Sequence, residues 1–144
     1  MFSKTCEYAI RAMIFVAKRS KAGEKAGIKE ISKEIDSPES FIAKILQDLS
    51  RKGLVLSTKG PNGGFFLDEH LLEGSLADIV KSVDGEKIFS GCGLGLKQCS
   101  EAKPCPIHYQ FKVIREEIRG MLEGAKLGSF TEELENKLTF LKPA

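Results

Sequence analysis

The 144-residue chain has no apolar run of bilayer-spanning length and no basic-then-apolar segment near its N-terminus. It is therefore expected to be neither inserted in a membrane nor secreted, which makes the cytoplasm its expected location. Histidine occurs only twice. No paired-carboxylate, Ser-His-Asp or phosphate-loop constellation is present, and "GPNGG" lacks the Lys-Ser/Thr of a nucleotide-binding loop, so no enzyme is predicted. Cysteine is sparse, with four residues, and a chain of this length buries a core without a disulfide scaffold. In a reducing compartment, closely spaced cysteines more often bind metal or carry redox chemistry. Repeats and low-complexity segments are absent, and the length suits one domain or a small domain with an arm.

The net charge of +2 conceals two unlike halves. Residues 1–60 carry 12 Lys and Arg against 7 Asp and Glu, whereas residues 61–144 carry 10 against 13. A basic front half suits a polyanionic partner, although surplus lysines on a solvated face give the same count.

Cys6, Ala9, Ile10, Met13, Ile14 and Ala17 recur at the spacing of one helical face and predict a first helix over Thr5–Lys18. Ile28, Ile31 and Ile35 predict a short second helix. In "DSPESFIAKILQDLSRKG", Ser37 reads as an N-cap, Pro38 as the first helical turn and Gly53 as the C-terminal cap of a third helix. Its apolar stripe is Ile42, Ile45, Leu46 and Leu49. Two strands, Leu54–Thr58 and Phe65–Leu67, flank a Lys-Gly-Pro-Asn-Gly-Gly tip. A fourth helix follows, with Ser75 and Asp78 spaced as a capping box. The predicted fold is mainly α with a small β-hairpin: a winged helix-turn-helix.

A winged helix lays its third helix in the major groove, leading end foremost, while the hairpin tip reaches the flanking backbone or minor groove. Ser37, Glu39, Ser40, Ala43 and Lys44 occupy that end, and Lys59, Gly60 and Asn62 form the tip. Serine, glutamate and lysine can pair with phosphates or base edges, and glycine lets the backbone approach closely.

Three of the four cysteines and one histidine fall in "SGCGLGLKQCSEAKPCPIHYQ", as C-x6-C-x5-C-x2-H over Cys92, Cys99, Cys105 and His108. Thiolates are soft ligands for iron–sulfur clusters, zinc or copper(I). Structural zinc sites usually pair their cysteines as C-x2-C, and the wider gaps here favour a bulkier group. Metal-free thiol chemistry is the other reading. Cys6 lies on the apolar face of the first helix and is expected to be buried and inert. Beyond the loop, Ile107, Phe111, Ile114, Ile118, Met121 and Ala125 form a heptad seam on a long helix surrounded by charge, which predicts a helix–helix dimer contact. Leu134, Leu138 and Leu141 predict a last short helix over Thr131–Leu141.

"EYAIRAMIFVA", "ISKEIDSPESFIAKILQDLSRKGLVLSTKGPNGGFFL" and "LADIVKSVDG" together resemble the bacterial winged-helix regulators of the Rrf2 type over nearly the whole chain. The resemblance implies a homodimeric transcription factor, usually a repressor, that binds an imperfect palindromic operator in double-stranded DNA. It implies a DNA-binding head (residues 1–84), a cysteine-rich sensor loop (85–108) and a dimerisation helix with tail (109–144). It also implies a 2Fe–2S or 4Fe–4S cluster on the three loop cysteines. The fourth ligand is a histidine in some members, matching His108, and an acidic residue of the first helix in others, matching Glu7. Ala43 stands where some members carry an operator-discriminating glutamate, and Lys59 matches the family's basic wing residue. The main alternative is a metal-free regulator of this fold controlled by thiols or by a partner protein; a zinc-stabilised regulator or a small electron carrier ranks below it.

Overall fold

In the computed structural model, which describes residues 1–137 and 139–142, the first helix, α1 (Lys4–Lys21), is the axis of the head. The Ser3 side chain caps it by accepting the Cys6 N–H at 3.0 Å. Its Ala9, Ala12, Met13, Val16 and Ala17 are fully buried, and α2 (Ile28–Ile35), α3 (Glu39–Arg51) and α5 (Leu76–Asp84) pack around it. Small residues on one face let these neighbours approach closely.

The helix-turn-helix is formed by α2 and α3. α2 ends at Asp36 in the left-handed region (φ 53°), a conformation that aspartate tolerates better than most residues. The expected cap of α3 is corrected: Pro38, not Ser37, occupies the N-cap position, and its carbonyl accepts the Ile42 N–H at 3.2 Å. The Ser37 carbonyl is engaged by the Ser32 hydroxyl, which ties α2 to the turn and leaves the helix to start one residue later. At the other end Gly53 acts as foreseen. With φ at +79° it closes a Schellman motif, its N–H on Ser50 and that of Leu54 on Leu49, each at 3.0 Å.

That motif shortens the first strand, because the Leu54 N–H is spent on the helix end. The hairpin is β1 (Leu56–Thr58) against antiparallel β2 (Gly64–Phe66), with Leu56 opposite Phe66 and Thr58 opposite Gly64. Ala26 adds a bridge on the far side of β2, exchanging both backbone hydrogen bonds with Phe65 at 2.8 and 2.9 Å. Gly64 makes the approach possible: its φ is +149°, and an added Cβ would stand 2.8 Å from the Ala26 carbonyl oxygen. Gly64→Ala is expected to cost about 2 kcal/mol by prising the hairpin from Ala26. Urea denaturation measures the loss, and backbone amide exchange at Phe65 locates it.

A helical turn absent from the sequence reading, α4 (Glu69–Leu72), precedes α5, where the Asp78 carboxylate accepts the Ser75 N–H at 3.1 Å as the capping spacing foretold. A second turn, α6 (Lys87–Ser90), opens the cysteine loop, and the long helix α7 is His108–Gly124. The chain then returns to the head. Ala125 accepts from Leu76 at 3.0 Å, and Leu127 donates to Gly74 at 2.9 Å. A 3-10 turn (Leu127–Ser129) and α8 (Thr131–Glu135) lie against α1. α8 is shorter than the predicted last helix, and Leu138 lies outside the described residues.

Among the described residues two apolar clusters result. The larger fills the head. The smaller, formed by Cys6, Ala77, Val80, Phe89 and Leu122, joins α1, α5, α6 and α7. The predicted seam of α7 is covered along one edge only. Phe111 and Ile118 are half-buried towards the molecule and Ala125 is half-buried at the helix end, while Ile114 and Met121 stand 54% and 55% exposed. Tyr109 and Val113 are also exposed, at 57% and 61%, about a quarter turn round the helix from Ile114 and Met121. Among the described residues no helix is long and apolar enough to cross a membrane.

Candidate functional site

The exposed face of α3 carries Glu39, Ser40, Lys44, Gln47 and Arg51; Ala43 is half-buried beside them. Ser37, the other residue expected at this end, is 8% exposed, and its hydroxyl has no hydrogen-bond partner among the described residues. Lys59, Gly60 and Asn62 are exposed at the wing tip, as the turn residues required. Two further groups border this surface. Phe41, 52% exposed, leans on Tyr8 with ring centroids 6.1 Å apart, and Lys4 and Arg11 stand over the other ring at 5.4 and 5.0 Å. At the base of the wing, Lys25 donates to the Thr58 hydroxyl at 3.0 Å. The sequence signal for Phe41 was a large aromatic interrupting the polar stripe of α3.

The loop between α6 and α7 gathers the three predicted thiols. The sulfur atoms of Cys92, Cys99 and Cys105 lie within 4.8 Å of one another, and those of Cys92 and Cys105 are 3.6 Å apart. His108, the first residue of α7, points Nδ1 at the Cys99 sulfur, 3.2 Å away, and Nε2 at Glu101 Oε1, 3.5 Å away. Lys112 pairs with the same carboxylate and holds it below the usual carboxylate range. Three soft sulfurs with an imidazole beside them fit a thiophilic metal group, and the Glu101 carboxylate stands by the other imidazole nitrogen, where a ligating histidine takes its outer partner. Glu7, the other candidate ligand, is exposed on α1, pairs with Lys4 at 3.8 Å and is not part of this sulfur group.

The thiols differ in character. Backbone N–H groups of Leu96 and Leu94 lower Cys92 to about 7, against its own desolvation. The Cys105 backbone N–H pulls Cys99 down, but desolvation and its hydrogen bonds with the Cys92 and Cys105 thiols raise it on balance. Cys6, fully buried, is pushed up to about 12 by desolvation and by Asp84, in keeping with an inert core residue. A depressed thiol reacts above its pKa, so alkylation of Cys92 in metal-free protein is expected to rise through about pH 7 while Cys6 stays silent. Mass-spectrometric mapping of iodoacetamide adducts across pH checks this.

Side chains that the sequence reading placed on the charged outside of α7 grip the loop instead. Besides the Lys112–Glu101 pair, Arg115 donates to the Gly91 carbonyl at 2.8 Å and Arg119 to that of Phe89 at 2.7 Å. Successive turns of α7 thus hold both limbs of the loop.

An HTH-type transcriptional regulator of Aquifex aeolicus is 30% identical over 129 residues, 88% of each chain. The HTH-type transcriptional regulator IscR of Escherichia coli is 27% identical over 128 residues, 89% of this chain and 78% of that one. Among solved structures, the cysteine regulator CymR of B. subtilis superposes with a TM-score of 0.76 at 21% identity, over 92% of this chain and 96% of its own. The IscR of T. potens does so with 0.73 at 19%, over 96% and 91%. At these identities the superpositions establish the fold, the winged helix expected from the sequence. The Rrf2 model, described as an iron-dependent transcriptional regulator, matches residues 2–133, and the chain belongs to that family of DNA-binding transcriptional regulators.

Proposed function

We propose that the protein is a homodimeric cytoplasmic repressor that reads an imperfect palindrome with α3 and the wing. Its operator affinity is controlled by an iron–sulfur cluster on Cys92, Cys99, Cys105 and His108. The observation that carries this reading is the convergence of three thiol sulfurs within 4.8 Å beside a histidine that begins α7. Such a cluster supplies reactivity toward oxygen, nitric oxide and iron supply. The loop's grip on α7 offers the route to DNA. α7 carries exposed Ile114 and Met121 one heptad apart on one face, suited to a second copy of the chain, and a change in its seating alters the spacing of the two α3 helices. Anaerobic reconstitution followed by operator titration tests the reading; equal affinity of cluster-loaded and cluster-free protein refutes it.

Lys44→Ala and Lys59→Ala are each expected to weaken binding and to lower the slope of log affinity against log salt by about 1 if the lysine meets a phosphate. Fluorescence anisotropy over a salt series reads both. A second reading has its own support: the Cys92 and Cys105 sulfurs, 3.6 Å apart, are close enough to join as a disulfide when metal is absent and peroxide is present. Peptide mapping of peroxide-treated, metal-free protein decides it.

A further inference from the structure

The cage formed by the loop sulfurs has a size of its own. A tetrahedral ion with metal–sulfur bonds of about 2.3 Å holds any two of its thiolates about 3.8 Å apart. Cys92 and Cys105 are 3.6 Å apart, and Cys99 lies within 4.8 Å of both. A cluster distributes its thiolates over different irons separated by bridging sulfides, so it holds at least some of them farther apart than one shared ion does. The fourth corner has a donor at hand in His108 Nδ1, 3.2 Å from the Cys99 sulfur, with its other nitrogen facing Glu101. The imidazole is almost completely enclosed, its ring turned edge-on to Tyr109 at 4.9 Å.

We infer that the folded loop is a closed site for one zinc-class divalent ion, bound by Cys92, Cys99, Cys105 and His108, with Glu101 positioning the histidine. The inference rests on reading the loop as metal-holding, and it adds a second occupant. A single ion seats in the contracted cage, a cluster requires the cage to widen, and the two compete for the same donors. Ion binding displaces the thiol protons and leaves the sulfur oxidation state unchanged.

The test titrates reduced, metal-free full-length protein with cobalt(II), then with zinc. The expected result is the intense visible absorption of tetrahedral cobalt with thiolate charge transfer, saturating at one ion per chain and bleached by zinc. His108→Ala should shift the cobalt bands, and Glu101→Gln should weaken binding without removing them. One equivalent of zinc should block iron–sulfide reconstitution. Octahedral cobalt spectra, or tetrahedral spectra that survive replacement of all three loop cysteines by serine, overturn the inference. Reconstitution of the same preparation separates the two readings. A cluster without a tetrahedral cobalt site leaves the regulator proposal standing and removes this one. A cobalt site without a cluster does the reverse.

Discussion

Cys105→Ser is expected to reduce cluster iron and sulfide to near zero per chain after anaerobic reconstitution, and to give the operator affinity of cluster-free protein. Cys105 is 8% exposed, faces Cys92 across 3.6 Å, and accepts the His108 N–H at 3.0 Å through its carbonyl. It therefore links the sulfur cage to the start of α7. A serine hydroxyl is a hard and weakly acidic donor, a poor replacement for thiolate on a soft metal group. Because the backbone carbonyl is retained, the start of α7 is expected to remain formed, and far-ultraviolet circular dichroism should be unchanged. Cys6→Ser provides the contrast. That residue belongs to the cluster shared with Phe89 and Leu122, so its replacement should cost about 1–3 kcal/mol of stability while leaving cluster content intact. Full cluster content in Cys105→Ser removes this residue from the ligand set.

Phe89→Ala should lower the unfolding free energy by about 3–5 kcal/mol, a large share of the 5–15 kcal/mol typical of a domain. The ring is 1% exposed in the small apolar cluster, and its void would be bounded by Ala77, Val80 and Leu122. Lys81 and Arg119 also stand over its faces, at 5.0 and 5.3 Å. Phe89 is the apolar pin that seats the start of the loop between α5 and α7. Urea denaturation should show the loss as a lower midpoint at similar slope. Faster proteolysis between residues 91 and 104 should accompany it, because the loop's near limb loses its anchor.

Much of the head was legible because its signals are local. The stripe of Ile42, Ile45, Leu46 and Leu49 and the stop at Gly53 marked α3, and the Gly-Pro-Asn-Gly-Gly tip marked the wing. The misplaced cap lies in the geometry of the turn: the Ser37 carbonyl is held by the Ser32 hydroxyl five residues back, and α3 starts one residue later than the Ser-Pro pattern indicates. The helix α7 was legible from the heptad spacing of Phe111, Ile114, Ile118 and Met121, whereas its packing was not: contacts with α5 and α6 half-bury Phe111 and Ile118 and leave Ile114 and Met121 exposed. The sulfur group was legible as composition, since three cysteines and a histidine in one short loop leave few chemistries. The roles of Arg115 and Arg119 were not, because a charged residue on an amphipathic helix has the same pattern whether it faces water or a carbonyl 24 or 30 positions away.

Arg115 and Arg119 hold main-chain oxygens, which every amino acid provides. Leu94, Leu96, Lys97 and Gln98 could thus be exchanged together, with Gly95 kept for its φ of 75°, while the fastening on α7 persisted. The segment is in effect an interchangeable cartridge, in which new residues could retune what the sulfurs accept without redesign of the part that touches DNA.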